Sequence, residues 1–354
     1  MVKRKKVRDS NFELMRLWAI FSVIMYHSIS YYTIFYSPEN EYGPILWLPF
    51  RTAVTLFVLV SGFYHIRFSV KGLVRLVVKV LVLFVPFELA AMLINGWGGV
   101  KSVIGCLMPI AKGPYWYISI YLCLFLVSPL INGYLKDLTV QRRIYLILSL
   151  SFISLYLGLP RCVESLDGGK NLLHFVLLYV IGDTLRLYSK QLKEQIKLFY
   201  LVLAFLLINF GQIIFFLNFH DTALNSFRLF VDRDNGLVLM LNAVVTFLLF
   251  SRIKLKNNAV NVIASSVLVM YIVQQEPTLR FHLSSAFSEF WNPAFAYNTS
   301  GIEDSLKLVG YLTIRAFFFM AVAFLIDRVL SPLWKLSEEF ATRKWGKIDT
   351  YIAE

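Results

Sequence analysis

Charge is scarce in this chain. Only 16% of its 354 residues are Asp, Glu, Lys or Arg, and 58% are apolar, against about 25% and about 45–50% in ordinary soluble domains. So little polar surface does not coat a water-soluble globule, and a mean hydropathy of +0.64 points to the bilayer as the solvent. Cysteine is nearly absent. Cys106, Cys123 and Cys162 are odd in number and lack CxxC spacing, so neither a disulfide framework nor a zinc site is indicated. There is no Walker loop, no GxGxxG, no HExxH and no internal repeat, so the sequence carries no signature of a resident metal or cofactor.

What is present is a series of apolar blocks. A helix needs about 20 apolar residues to cross a bilayer, and such runs occupy 12–34, 44–65, 73–95, 114–134, 144–160, 171–185, 198–219, 236–251, 259–280 and 306–327. The expectation is an all-α, polytopic bundle of about ten transmembrane helices. It comprises a basic arm (1–11), a membrane domain (12–330) and a tail (331–354). The net charge of +13 does not imply nucleic acid, because the cations sit between the apolar blocks, where they face the bilayer's surfaces. Loops on one proposed side hold 22 Lys and Arg, those on the other hold six. By the positive-inside rule the rich side, which includes both termini, is expected to be cytoplasmic. The segments 97–112 and 286–297 are expected to be re-entrant or amphipathic surface pieces.

Ionisable residues within apolar spans are costly and therefore candidates for function. They are Arg16, His27, Arg51, Arg75, Lys79, Glu88, Asp183, Glu276, Arg280, Lys307 and Arg315, with Glu13 at the edge of the first span. Cations outnumber acids, and an anionic substrate would offset the surplus. Arg75, Lys79 and Lys307 lie near enough to span ends to snorkel. Arg16 and His27, eleven residues apart, fall on one stripe of a helix about 16 Å apart along its axis. That stripe can hold one end of a long anion at Arg16 and offer an imidazole at the other. It can equally consist of a Glu13–Arg16 surface pair and a hydrogen-bonded packing histidine.

The stretch Arg8-Asp9-Ser10-Asn11-Phe12-Glu13-Leu14-Met15-Arg16-Leu17, with Ala19 and His27, resembles the opening of the membrane-bound acyltransferase family 3, whose first helix bears an arginine, ten residues and a histidine. Ser61-Gly62-Phe63 is similar to the family's second-helix ending. Tyr115-Trp116-Tyr117 through Tyr121 to Ser128-Pro129-Leu130 is similar to its aromatic fourth helix, and Ser265 to Ile272 with Glu276-Pro277 to its ninth. Many members carry a histidine near Val273-Gln274-Gln275, where this chain has none.

The resemblance implies transfer of an acyl group, most often acetyl, from cytoplasmic acyl-CoA to a hydroxyl of an envelope polysaccharide or lipid-linked sugar. The setting would be a bacterial cytoplasmic membrane. It implies His27 as general base and Arg16 as orienting the donor, or His27 as a covalent acyl relay. Glu13, Arg51, Arg75, Glu276 and Arg315 are the charged candidates for substrate binding. Tyr115 and Trp116 are candidates for stacking on sugar or for plain interfacial anchoring. The competing reading is a polytopic exporter of a polysaccharide or lipid-linked sugar, with the buried charges forming its path.

Overall fold

The computed structural model describes residues 10–35, 43–96, 99–112, 115–158, 168–219, 230–231, 233–291 and 302–353. Residues 1–9 of the basic arm and 292–297 of the aromatic segment lie outside them. The described residues are helical throughout, with no strand among them. In chain order the helices are α1 (Asn11–Phe35), α2 (Gly43–Trp47), α3 (Ala53–Tyr64), α4 (Val70–Asn95), α5 (Val100–Leu107), α6 (Pro109–Lys112), α7 (Trp116–Lys136), α8 (Val140–Ser151), α9 (Leu172–Leu187), α10 (Ser189–Gln195), α11 (Leu198–Phe219), α12 (Leu237–Arg252), α13 (Asn258–Ala264), α14 (Val267–Gln275), α15 (Pro277–Phe290), α16 (Ile302–Val329) and α17 (Ser331–Ala353).

Seven helical segments among the described residues are long and apolar enough to cross a membrane, or eight if the pair α9 and α10, bent by 68°, is one span. All ten expected blocks fall on helix, but three stand outside the seven. Helix α12 has only 16 residues, α9 also has 16 before its bend, and the 25-residue α1 is diluted by Glu13, Arg16, His27 and its serines. That dilution has a structural reason. Helix α1 is the hub of the bundle, packed by α3, α12, α13, α14 and α16, with Met15, Ile20, Ile24, Met25 and Ile29 in the core. A helix enclosed by protein does not need an apolar surface all round.

The expected ninth span is shortened. Asn258–Gln275 is one of the seven segments, with a tight turn at Ser265 and Ser266 between α13 and α14, and α14 stops at Glu276, whose backbone is extended ahead of Pro277. A residue before proline is driven out of the helical region, and proline is well placed to start the next helix. The Glu276 side chain accepts from the Leu279 N–H and so caps α15. Short polar caps start other helices too: Ser69 for α4, Thr139 for α8, Asn171 for α9 and Asn257 for α13.

The loops expected to share a side converge at one end. Ser10 donates its N–H to Leu255 O at 3.0 Å, and Arg252 donates to the carbonyls of Leu192, Lys193 and Ile196. Lys71 and Arg75 both pair with Glu338 of α17, an amphipathic helix laid along α4. Burial pushes the Glu338 carboxyl upward, but hydrogen bonds from Arg75 and Lys71 win and hold it below the usual 4.5. At the other end Arg51 meets Asp234 at 3.7 Å, and Lys170 lies over the Trp116 ring at 5.2 Å.

Helices α3 and α9 touch through glycine. A Cβ on Gly62 would stand 2.1 Å from Tyr179 O, and one on Gly182 2.3 Å from Leu59 O. Neither neighbour is a movable side chain tip. Gly62→Ala is therefore expected to lower stability by about 1–3 kcal/mol or more through overpacking. Gly133→Ala on α7, where nothing lies within 4 Å, is the control. Thermal unfolding of the two variants in detergent checks this, and equal midpoints would refute the close approach.

Candidate active site

One face of α1 opens into two separate cavities. Phe12, Glu13, Arg16 and Val23 line the first, of about 580 Å3, together with residues of α3, α4, α7 and α14. Ile24, His27, Ser28 and Tyr31 line the second, of about 590 Å3, together with residues of α14, α15 and α16. The first has Arg67 and Arg75 at the end where the cation-rich loops gather. It reaches inward to Val54 and Tyr117, each the second residue of a helix that starts at the opposite end. Two short steps along the chain separate the cavities: Val23 to Ile24 on α1, and Tyr271 to Gln274 on α14. Arg16 and His27 thus share a helix face, as their spacing implies, but not a chamber.

Around His27 the geometry is polar. Its Nε2 lies 3.5 Å from the Gln275 amide nitrogen, so with that amide as donor the imidazole accepts at Nε2 and carries its proton on Nδ1. Gln275 holds this place although the chain lacks a histidine in the 273–275 segment. The Tyr26 ring stands edge-on to the imidazole at 5.4 Å. Gln274 is buried, and its Oε1 has no protein partner among the described residues. Arg315 donates to Ser28 at 2.8 Å and also to Ser284, which places a guanidinium beside the residue that follows His27. Among the described residues no three His, Cys, Asp or Glu side chains gather to hold a metal ion.

The sequence matches the acyltransferase domain, family 3, over residues 9–328. The chain belongs to this acyltransferase family. No curated protein and no solved structure matches it. The family match ends just before α17, so the pairing of Glu338 with Lys71 and Arg75 comes from outside the matched region.

This acyltransferase's structure places several of the sites expected from sequence away from both chambers. Glu276 is completely buried and lines neither cavity; its capping of α15 accounts for its presence. Tyr115 is no exposed platform but a core residue between Phe84 and Tyr271, and Trp116 packs on Phe175 and under Lys170. Their α7 neighbours Tyr117 and Tyr121 face the inner chamber, and the aromatics of the His27 chamber are Tyr31, Phe281 and Phe319. Arg51 lines neither cavity; it donates to Tyr26 OH at 2.8 Å and pairs with Asp234.

Part of the cation surplus is answered by acids of the chain itself. Arg16 pairs with Glu13 at 2.8 Å and Lys307 with Glu303 at 2.8 Å. Lys79, expected to snorkel, is instead buried, bonded to Asp327 at 2.8 Å and set over the Trp334 ring. Arg67 is the residue that sequence reasoning missed in the inner chamber. It lines the mouth and makes no ion pair among the described residues, yet in sequence it looks like one more loop cation.

Proposed function

We propose that this acyltransferase takes its acyl group, acetyl in the simplest case, from a cytoplasmic acyl-CoA and passes it to a hydroxyl of an envelope glycan or lipid-linked sugar. In this reading ten spans place both termini and the Arg67–Arg75 mouth in the cytoplasm, and the His27 chamber faces the other side. The observation that carries it is the one helix face that presents Arg16 to one chamber and His27 to the other. Acyl-CoA is a long donor with a multiply anionic head. Its phosphates suit the Arg67, Arg75 and Arg16 side of the inner chamber, because guanidinium groups bind phosphate oxygens in a bidentate manner. Its thin thioester arm suits the apolar depth lined by Val54, Phe57 and Tyr117.

The chemistry then falls to His27. Nε2 takes the proton of the acceptor hydroxyl as its oxygen forms a bond to the acyl carbon. The carbon–sulfur bond breaks, and the proton passes on to the departing thiolate. For this the hydroxyl replaces the Gln275 amide at Nε2, and the Val23–Ile24 and Tyr271–Gln274 septum gives way to the acyl group. In the relay variant Nε2 itself takes the acyl group first and yields it to the hydroxyl, with the same overall balance.

Purified protein in detergent and labelled acetyl-CoA test the donor side. The expected result is saturable binding, weakened about tenfold by Arg67→Gln and again by Arg16→Gln, as for loss of a charge-assisted contact. An exporter without transfer chemistry would neither bind the donor nor hydrolyse it.

A further inference from the structure

The second chamber differs from the first in what lines it. Four serines (Ser28, Ser284, Ser285 and Ser288), Gln274 and two arginines face it, and no acid does among the described residues. Arg280 sits on the first turns of α15 at the cavity wall, and among the described residues its side chain has neither an ion pair nor a hydrogen bond. Glu276, four residues earlier, is wholly buried, spends its carboxylate on capping the helix, feels the Arg280 charge without pairing with it, and does not line the chamber. Arg315 stands across the same chamber, buried and oriented by the hydroxyls of Ser28 and Ser284. Two guanidinium groups border one 590 Å3 space whose described lining includes no carboxylate, and a cleft lined by one sign of charge attracts an anion. The volume suits a compact ligand, since such pockets run to about 300–1,000 Å3, and hydroxyl and amide groups suit sugar oxygens.

We infer that the acceptor held in the His27 chamber is itself anionic: a hydroxyl-bearing sugar with a carboxylate or phosphate group, whose charge is bound by Arg280 with Arg315 across from it. This rests on the proposed transfer reaction and adds the acceptor's charge to it. The serines and Gln274 hold the sugar's neutral oxygens, and the position of the bound charge sets which hydroxyl is turned to Nε2. A neutral competitor leaves this charge-assisted contact unmade. It is the reverse of the inner chamber, whose arginines answer the donor's phosphates.

Equilibrium binding to the full-length protein in nanodiscs tests the inference with three probes: methyl glucoside, methyl glucuronide and glucose 6-phosphate. Binding of at least one anionic probe about tenfold more tightly than the neutral one is expected, a ratio of the size a charge-assisted contact gives. The better anion distinguishes a carboxylate acceptor from a phosphate one. Arg280→Gln should bring the ratio near one, whereas Arg280→Lys should keep part of it. Equal affinity for all three probes, no saturable binding of any, or a ratio unmoved by Arg280→Gln would overturn the inference. Labelled acetyl-CoA binding, measured on the same samples, reports on the transfer reading separately: a protein that binds donor but shows no anion preference loses only the acceptor assignment.

Discussion

His27→Ala is expected to lower acyl transfer by about 10²–10⁴-fold, the range for loss of a positioned general base. The loss should fall on kcat and leave the KM for acetyl-CoA nearly unchanged, because the proposed reaction seats the donor's charged end in the other chamber. Arg16→Gln should show the opposite split, with KM raised more than kcat is lowered. The prediction follows from the geometry. The imidazole lines the 590 Å3 chamber while Arg16 lines the 580 Å3 one, so the two substitutions remove different steps. Radiolabel transfer to the glycan, measured across donor concentrations with each variant confirmed in the membrane, checks the split. Incubation with donor alone separates the two roles of His27. A labelled acyl group retained on wild-type protein and lost in the variant marks the relay, and its absence in both marks direct transfer. A His27→Ala protein with full transfer would remove the imidazole from the mechanism.

How much of this site could be read from the sequence depends on how local each determinant is. The alignment of Arg16 with His27 needs only the helical period, and it holds. The partition between chambers depends on Tyr271 and Gln274 of α14 meeting Val23 and Ile24 of α1, residues nearly 250 positions apart, so no local pattern contains it. Glu276 illustrates the opposite failure. Its local signal was legible, since an acid followed by proline is the start of a helix, but an acid inside an apolar run drew attention to charge instead. Arg280 was visible as a span cation. Its significance came only when Glu276 proved to be occupied with the helix backbone.

The fold was legible to a similar degree. Hydropathy placed its ten blocks on helix but not α10 or the tail helix α17, and some of the loops it assigned to one side do meet, 1–11 with 252–258 and 252–258 with 186–197. The end of the ninth span at Glu276 was not foretold. Ser266, at the turn between α13 and α14, donates to Asp327 at 2.7 Å, a contact 61 residues distant. The tail 331–354 reads as too short to form a core, yet Trp334, Glu338 and Ala341 recur at helical spacing and give α17 one buried face. That signal was present in the sequence, but it needed the partner helix α4 to acquire meaning.

Asp183→Ala is expected to destabilise the bundle by about 3–5 kcal/mol, the cost of leaving a buried charge without its partner. Asp183 is 1% exposed and meets three partners: the guanidinium groups of Arg143 of α8 and of Arg186 one turn on, and the ring of His65 at 2.6 Å. Arg143 is equally enclosed and is anchored further by donating to Leu135 O at 3.0 Å, so it cannot swing out to water when the carboxylate goes. His65 follows α3 with φ +58°, a conformation costly for a residue with a side chain, and its bond to Asp183 helps hold it there. Its ring also lines the inner chamber beside Arg67, so the same substitution should weaken acetyl-CoA binding. Arg143→Met together with Asp183→Leu tests the cause, because replacing both members of a buried pair by apolar groups is often neutral. The double variant should regain most of the unfolding midpoint in detergent but not the donor affinity, which still lacks a fixed His65. If the double variant is as unstable as Asp183→Ala alone, the loss comes from packing rather than from a stranded guanidinium.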